Sequence, residues 1–372
     1  MKGLEERDWW WLWSRCPGLG AVRLSALQSL ATQDPAGLAG LWSWPLPRLQ
    51  CALRWSDSLT QTVDAYRRRW GVSPDVVAPD SVLIPGDANW PLALADLERP
   101  PMVLHWRGDA ALLRMVSARQ AVAIVGTRRP SSHGLRMAEA LGEALARAGW
   151  PVVSGLAEGV DAAAHQGCLK AGGAPIGVVG TPLSRVYPPE HERLQVAVAS
   201  QGLLLSEHGP EARVSRASFA LRNRLLVALA DWVVVVECPE GSGAMISAEI
   251  ALAMERSLWV VPGDALRQSS CGSNRLLTCG ACPLLSIASF LTALGPGPCA
   301  DGAQAPSAGR GGGSHAPQLQ DAPLLRLLEE GAGLDRLARD LGRPTGVLAE
   351  QLLQLELQGL VKAEAGMRWR LV

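Results

Sequence analysis

The chain has 372 residues, enough for two or three domains with ample cores. Hydrophobic residues make up 48% and charged residues 19%, with 35 basic against 35 acidic side chains, which excludes a disordered polyelectrolyte and a uniformly basic nucleic-acid coat. Any anion site is therefore a local patch. Apart from Lys2, Lys170 and Lys362 the basic residues are arginine, whose planar fork suits phosphate, although genome composition explains the bias equally well.

Glu5 and Glu6 stand where a secretory signal would need positive charge, so secretion is not expected. The longest uncharged stretch, Leu276 to Ala300, keeps only Leu284 to Leu294 as a continuous apolar run, too short to span a bilayer. No membrane insertion is expected. Eight scattered cysteines do not form a disulfide framework, and a cytosolic chain keeps them reduced. Cys279-x-x-Cys282 with Cys271 nearby lacks a second pair, so neither a metal nor a cofactor is expected.

From Asp8 to about Tyr66 the sequence is Trp- and Leu-rich with helical spacing, broken by Pro17-Gly18-Leu19-Gly20. That turn reads either as a helix-hairpin-helix able to hold a DNA phosphate or as a tight helix connection; with only Arg23 close behind it, the connection is preferred. The run Trp9 to Trp13 reads as core, since five adjacent positions cannot share one helix face. Residues 72–119 read as short elements that pack on the next domain. Between Gln120 and Leu294, β-rich runs recur at Ala121–Val125, Pro151–Ser154, Pro175–Val179, Leu203–Ser206, Trp232–Glu237 and Leu258–Val261, with helical patterns between several of them. Repeated βα units predict a Rossmann-like, doubly wound parallel sheet. Gly295 to Pro317 has linker composition. Leu334–Leu341, Val347–Leu357 and a hairpin around Gly366 then predict a winged helix, whose third helix offers Glu350 and Glu356 and no cation for a duplex groove. The expected organisation is thus a helical domain over 1–70, an extended Rossmann-like domain over 71–294, a linker over 295–317 and a winged helix over 318–372.

In such sheets ligands bind beyond the carboxyl ends of the strands. There the sequence places Gly126, Thr127, Arg128 and Arg129 after the first strand, then Ser154 and Gly155 leading to Gly159 and Asp161 after the second. Farther on come Arg222-Asn223-Arg224 and Gly241-Ser242-Gly243-Ala244. Glycines permit close backbone approach, hydroxyls and arginine forks bind oxyanions, and three such turns on one edge point to an extended phosphate-binding surface. The first turn lacks the G-x-G-x-x-G fingerprint, and no Walker lysine, metal triad or nucleophile elbow accompanies it. Asp161 and His165, at i and i+4, read as an N-terminal helix acid with a hydrogen-bonded core histidine or as a ligand-facing pair; the first reading is preferred.

The runs Ala121 to Pro130 and Ser154 to His165, then Tyr187-Pro188-Pro189-Glu190, Arg222-Asn223-Arg224, Ser242 to Ser247, Val261-Pro262-Gly263 and Asn274-Arg275-Leu276-Leu277, resemble in order the DNA-processing protein A family (DprA, also called Smf). The flanking helical block and winged helix look like that family's outer domains. The resemblance implies a cytoplasmic protein that binds incoming single-stranded DNA in natural transformation and helps load the RecA recombinase, with single-strand-binding protein as a further partner, and that is not an enzyme. It implies a DNA site at Gly126, Thr127, Arg128, Arg129, Ser154, Gly155, Gly159, Asp161, Arg222, Asn223, Arg224, Ser242, Gly243, Asn274 and Arg275. It also implies a homodimer through the end of the sheet domain, at Leu276, Leu277, Leu284 and Leu285. One departure is Glu158, where the family commonly carries a cation. The competing classes are a nucleoside-monophosphate phosphoribohydrolase, whose Gly-Gly-x-Gly-Thr signature Glu240 to Ala244 does not match, and a winged-helix transcription factor.

Overall fold

Residues 4–300 and a discontinuous set between Leu324 and Leu371 are described by the computed structural model. The chain divides at Ala305/Pro306 into two units.

The first unit opens with five helices: α1 (Glu6–Ser14), α2 (Ala21–Ala31), α3 (Gly37–Ser43), α4 (Leu46–Leu53) and α5 (Asp57–Trp70). The tryptophan run on α1 is buried because the helix is covered on more than one side. Trp9 and Trp13, one turn apart, meet Trp42 of α3 with ring centroids 5.7 and 4.9 Å away, while Trp10 donates its indole N–H to the Met102 carbonyl and Trp11 packs edge-on against His105. The Pro17–Gly20 turn joins α1 to α2, and Arg23 donates to the Gly18 carbonyl within it. Ser56 caps α5 by accepting the Leu59 N–H.

The segment after α5 does more than pack on its neighbour. It contributes two strands to the sheet, β1 (Val82–Leu83) and β2 (Leu104–Gly108), both antiparallel, so the sheet is mixed at one edge rather than wholly parallel. After α6 (Ala111–Ser117) the chain alternates β3 (Val122–Val125), α7 (Ser132–Arg147), β4 (Val152–Ser154), α8 (Val160–Lys170), β5 (Pro175–Val178), α9 (Glu192–Gln201), β6 (Leu203–Ser206), α10 (Arg216–Ala228), β7 (Trp232–Val235), α11 (Gly243–Ala253), β8 (Ser257–Val260), α12 (Cys271–Thr278), β9 (Cys282–Pro283) and α13 (Ile287–Leu294). The strand order is β1-β2-β6-β5-β4-β3-β7-β8-β9. The winding runs outward from β3 to β6 and then restarts at β7 on the other flank of β3, so β3/β7 is the topological switch point.

β3 to β6 are buried at every position because helices cover both faces. Val122 and Ile124 point towards α7, α8 and α13, where Phe290 stacks with Trp232 and Trp259. Ala123 and Val125 point towards α10 and α11 with Leu225, Val227 and Ala248. The residues after α13 hold to the same layer: Gly297 and Cys299 donate backbone N–H groups to Ala148 and Gly149, and Trp150 donates its indole N–H to Gly295. Residues 301–317 of the expected linker, like Glu350 and Gly366, lie outside the described residues.

In the second unit the helix Leu334–Leu341 accompanies a three-stranded antiparallel sheet of β10 (Ala332–Gly333), β12 (Arg368–Leu371) and β11 (Val361–Glu364), in that spatial order. Leu324, Leu328, Leu337, Leu348, Leu352 and Leu355 form its core. Among the described residues no helix is long and apolar enough to cross a membrane.

Candidate functional site

A cleft of about 920 Å³ opens at the switch point, at the upper end of the range for ligand pockets. Gly126, Thr127, Arg128 and Arg129 form one wall directly after β3; Arg216, Phe219, Arg222 and Asn223 of α10 form another. Ser242, Gly243, Ala244 and Ser247 present the start of α11, and Gln268 and Ser269 close the rim. Four arginines and one carboxylate, Asp161, line it, so a chain of zero net charge concentrates cations here.

Local geometry makes the walls interdependent. Gly159 takes φ +78°, and a Cβ on it would lie 2.5 Å from the Thr127 carbonyl, so the loops after β3 and β4 touch where only glycine fits. A Cβ on Gly155 would overlap the Arg222 guanidinium. Leu156 between them is left-handed at φ +56°, with its carbonyl hydrogen-bonded to His191 Nδ1 at 2.9 Å. Thr127 donates its N–H to the Glu237 carbonyl and accepts the Arg129 N–H on its hydroxyl, which shapes the turn carrying Arg128.

The residues expected at the site separate into two groups. Arg128, Arg129, Asp161, Arg222, Asn223, Ser242 and Gly243 meet around the cleft with Gly126 and Thr127, and Gly155 lines a small recess continuous with it. Arg222 is only 4% exposed and donates to the Val178 carbonyl, so it forms the floor rather than a reaching fork. Asp161 accepts the Gly155 N–H at 3.1 Å; burial pushes its carboxyl up, opposed by the adjacent Arg222. Asn223 donates to the Gly243 carbonyl at 3.1 Å and ties α10 to α11.

Five expected residues do not line the cleft, the first being Gly159, which packs beneath the Thr127 carbonyl. Ser154 is fully buried and donates its hydroxyl to Ile124. Arg224 pairs with Glu207 at 2.6 Å and donates to the Arg99 carbonyl. Asn274 exchanges two hydrogen bonds with the Gly263 backbone, at 3.0 and 3.1 Å, and Arg275 lies 3.7 Å from Glu240 on the surface. His165 is fully buried and lines neither the cleft nor its recess; neither ring nitrogen has a hydrogen bond of ordinary geometry, although the Ser154 backbone is close, and burial pulls its pKa down to about 4. Of the interface leucines, Leu276 and Leu284 are 2% exposed within the chain's own core, Leu277 packs partly against it, and Leu285 is 78% exposed. Among the described residues no three metal-ligating side chains are grouped, the Cys271, Cys279 and Cys282 set included.

Sequence reasoning missed the aromatic part of the site. The chain has two phenylalanines and two tyrosines, and one of each, Phe219 and Tyr187, stack at the cleft with centroids 4.6 Å apart. Arg128 lies 5.9 Å over the Phe219 ring, and Tyr187 is 46% exposed. Arg216, one turn before Phe219 on α10, adds a fourth arginine. The available signal was their scarcity in the sequence and the i, i+3 spacing of Arg216 and Phe219.

A doubly wound sheet with an arginine- and aromatic-lined cleft at its switch point, in a chain that also carries a helical N-terminal layer and a winged helix, defines a Rossmann-type protein without a dinucleotide fingerprint. Residues 81–295 match the family model of DNA recombination-mediator protein A, and residues 312–367 match that of the DprA winged helix domain. The chain is 30% identical to Protein Smf of Synechocystis over 402 aligned positions, covering 98% of both chains. It resembles the structure of DNA processing protein A from Streptococcus pneumoniae with a TM-score of 0.64 and 26% identity, over 78% of this chain and 98% of that one. It also resembles DNA processing protein A from Helicobacter pylori, a protein with a single-stranded DNA binding mode, with a TM-score of 0.50 and 34% identity over 55% and 92% of the two chains. The chain belongs to the DNA-processing protein A (DprA/Smf) family.

Proposed function

We propose that this chain binds single-stranded DNA in the cleft and acts in the cytoplasm as a recombination mediator that helps load RecA onto incoming DNA during natural transformation. The observation that carries the reading is the pairing of arginines with an accessible aromatic stack in one cleft. Arg128, Arg129 and Arg216 neutralise backbone phosphates without reading sequence, while Phe219 and Tyr187 offer a ring face that only an unpaired base can cover. The open start of α11, with no acid in its first turn, adds backbone N–H groups for one phosphate. The family's recombination-mediator description and the single-stranded DNA binding of the Helicobacter relative support the same assignment. A binding role rather than catalysis fits Asp161, the acid on the cleft wall, whose carboxylate is committed to the Gly155 N–H.

A homodimer would give one strand two clefts and raise avidity, and Leu277 and Leu285 are the expected contact residues with surface to offer. The test of the mediator role is RecA strand loading on an oligonucleotide coated with single-strand-binding protein, with and without this chain. Faster RecA filament formation supports it; an unchanged rate alongside intact DNA binding removes RecA loading from the assignment.

A further inference from the structure

Two helices follow the strands of the switch point, α11 opening on the cleft and α7 starting behind its Ser269 rim, and their first turns differ. Ser242, Gly243 and Ala244 at the start of α11 face the cleft, and that first turn holds no acidic residue. The start of α7 also has no acid of its own, yet it is occupied: Glu237, just beyond β7, accepts the Ser131 N–H on both carboxylate oxygens at 3.1 and 3.3 Å and the Ser131 hydroxyl at 2.7 Å. Its carboxylate presses so closely on Gly134 that a Cβ there would overlap Oε2. Glu237 is 4% exposed. Burial disfavours its charge, but the hydroxyls of Ser269 and Ser131, the Ser131 N–H and nearby Arg267 outweigh burial and hold the carboxyl below the usual range. A buried, charged carboxylate on the N-cap residue of a helix stands as a bound anion would stand. In doubly wound sheets the helix after the first strand of the winding is where a nucleotide pyrophosphate sits.

We propose that Glu237 is a built-in anion that fills the phosphate seat at the start of α7. The cleft then refuses a nucleotide pyrophosphate at that seat and takes phosphate only at Arg128, Arg129 and the start of α11. A cleft so divided suits a strand that passes through and not a dinucleotide that settles in. The two remaining seats rest on the single-stranded DNA reading; the occupied seat rests on Glu237 itself.

The experiment titrates inorganic pyrophosphate into the full chain and into Glu237→Ala and Glu237→Gln, following the amide resonances of Ser132, His133 and Gly134 and, separately, oligonucleotide binding. In the unaltered chain those amides are expected not to move. In Glu237→Ala they shift saturably, with an affinity about tenfold or more above any binding by the unaltered chain, and Glu237→Gln shows a smaller gain because its amide still fills the space. Folded variants without the shift, or an unaltered chain that shifts equally, would overturn the proposal. So would failure of both variants to fold, which makes Glu237 a brace instead of a stand-in anion. Loss of oligonucleotide binding by the unaltered chain would strike the DNA reading and leave the pyrophosphate comparison standing.

Discussion

The guanidinium of Arg222 lies against the Cα of Gly155 so closely that no side chain fits between them. This contact locks the loop after β4 onto the floor of the cleft, with Asp161 holding the Gly155 N–H from the other side. Gly155→Ala is expected to displace Arg222 and destabilise the fold by roughly 1–3 kcal/mol through overpacking. Thermal unfolding and single-stranded DNA binding should both report the change. A variant of native stability and affinity would show that the loop has slack.

Arg128 and Arg224 are predicted to part company. Arg128 is exposed on the cleft wall over the Phe219 ring and has no ion-pair partner among the described residues, so Arg128→Ala should weaken single-stranded DNA binding and lower the slope of log affinity against log salt by about 0.7. Arg224 is spent on Glu207 and Arg99 with 13% of its side chain exposed, so Arg224→Ala should leave the slope alone and cost about 1–3 kcal/mol of stability. Chemical denaturation beside titrations at two salt concentrations distinguishes the two effects.

Phe219→Ala should lose about 1–3 kcal/mol of binding to unpaired DNA without altering the salt slope, because stacking involves no counterion release. Phe219→Trp should restore most of the loss. An alanine variant that binds normally would place the bases elsewhere.

Glu158 is exposed and borders the recess next to Arg128, Tyr187 and Phe219. Glu158→Lys is expected to tighten binding several-fold at low salt by replacing repulsion with a phosphate contact, and to steepen the slope. Unchanged binding across the salt series would mean that the strand passes on the far side of Phe219.

His165 carries a pH dependence of stability. Its pKa in the fold is held near 4 by burial, against 6.5 for the free side chain, so the unfolded chain takes up the proton first as pH falls. The stability it contributes is full above pH 6.5 and declines by roughly 1.4 kcal/mol per unit between there and about pH 4. Asp161, pushed up by burial, acts with the opposite sign, so the informative quantity is the difference between the unaltered chain and His165→Gln. Denaturation midpoints at pH 7 and pH 5 should converge more closely in the variant; equal losses would assign the acid sensitivity to other groups.

The six parallel strands from β3 to β8 were legible because each is a short apolar run and all but β7 are bounded on at least one side by glycine or proline, and the sheet places them within a residue or two of the expected bounds. β1 and β2 were not, since two apolar residues at Val82–Leu83 carry no period to detect and their antiparallel pairing is set by contacts more than 20 residues distant. The turns at Gly126 and Gly243 lie on the cleft edge, but sequence adjacency could not show which arginines are consumed. Arg222 meets a carbonyl 44 positions away and Arg224 a carbonyl 125 positions away, so neighbours in one short run have different fates. Phe219 and Tyr187 lie 32 positions apart, and only the fold stacks them.

The measurement that bears most directly on the cleft is a binding titration of an unstructured oligonucleotide and a duplex of equal length, each at two salt concentrations. Three arginine–phosphate contacts and one stacked base should give tighter binding to the single strand and a log–log salt slope of about −2. A flat salt response, or a duplex bound as tightly as the single strand, would contradict single-stranded DNA binding in this cleft.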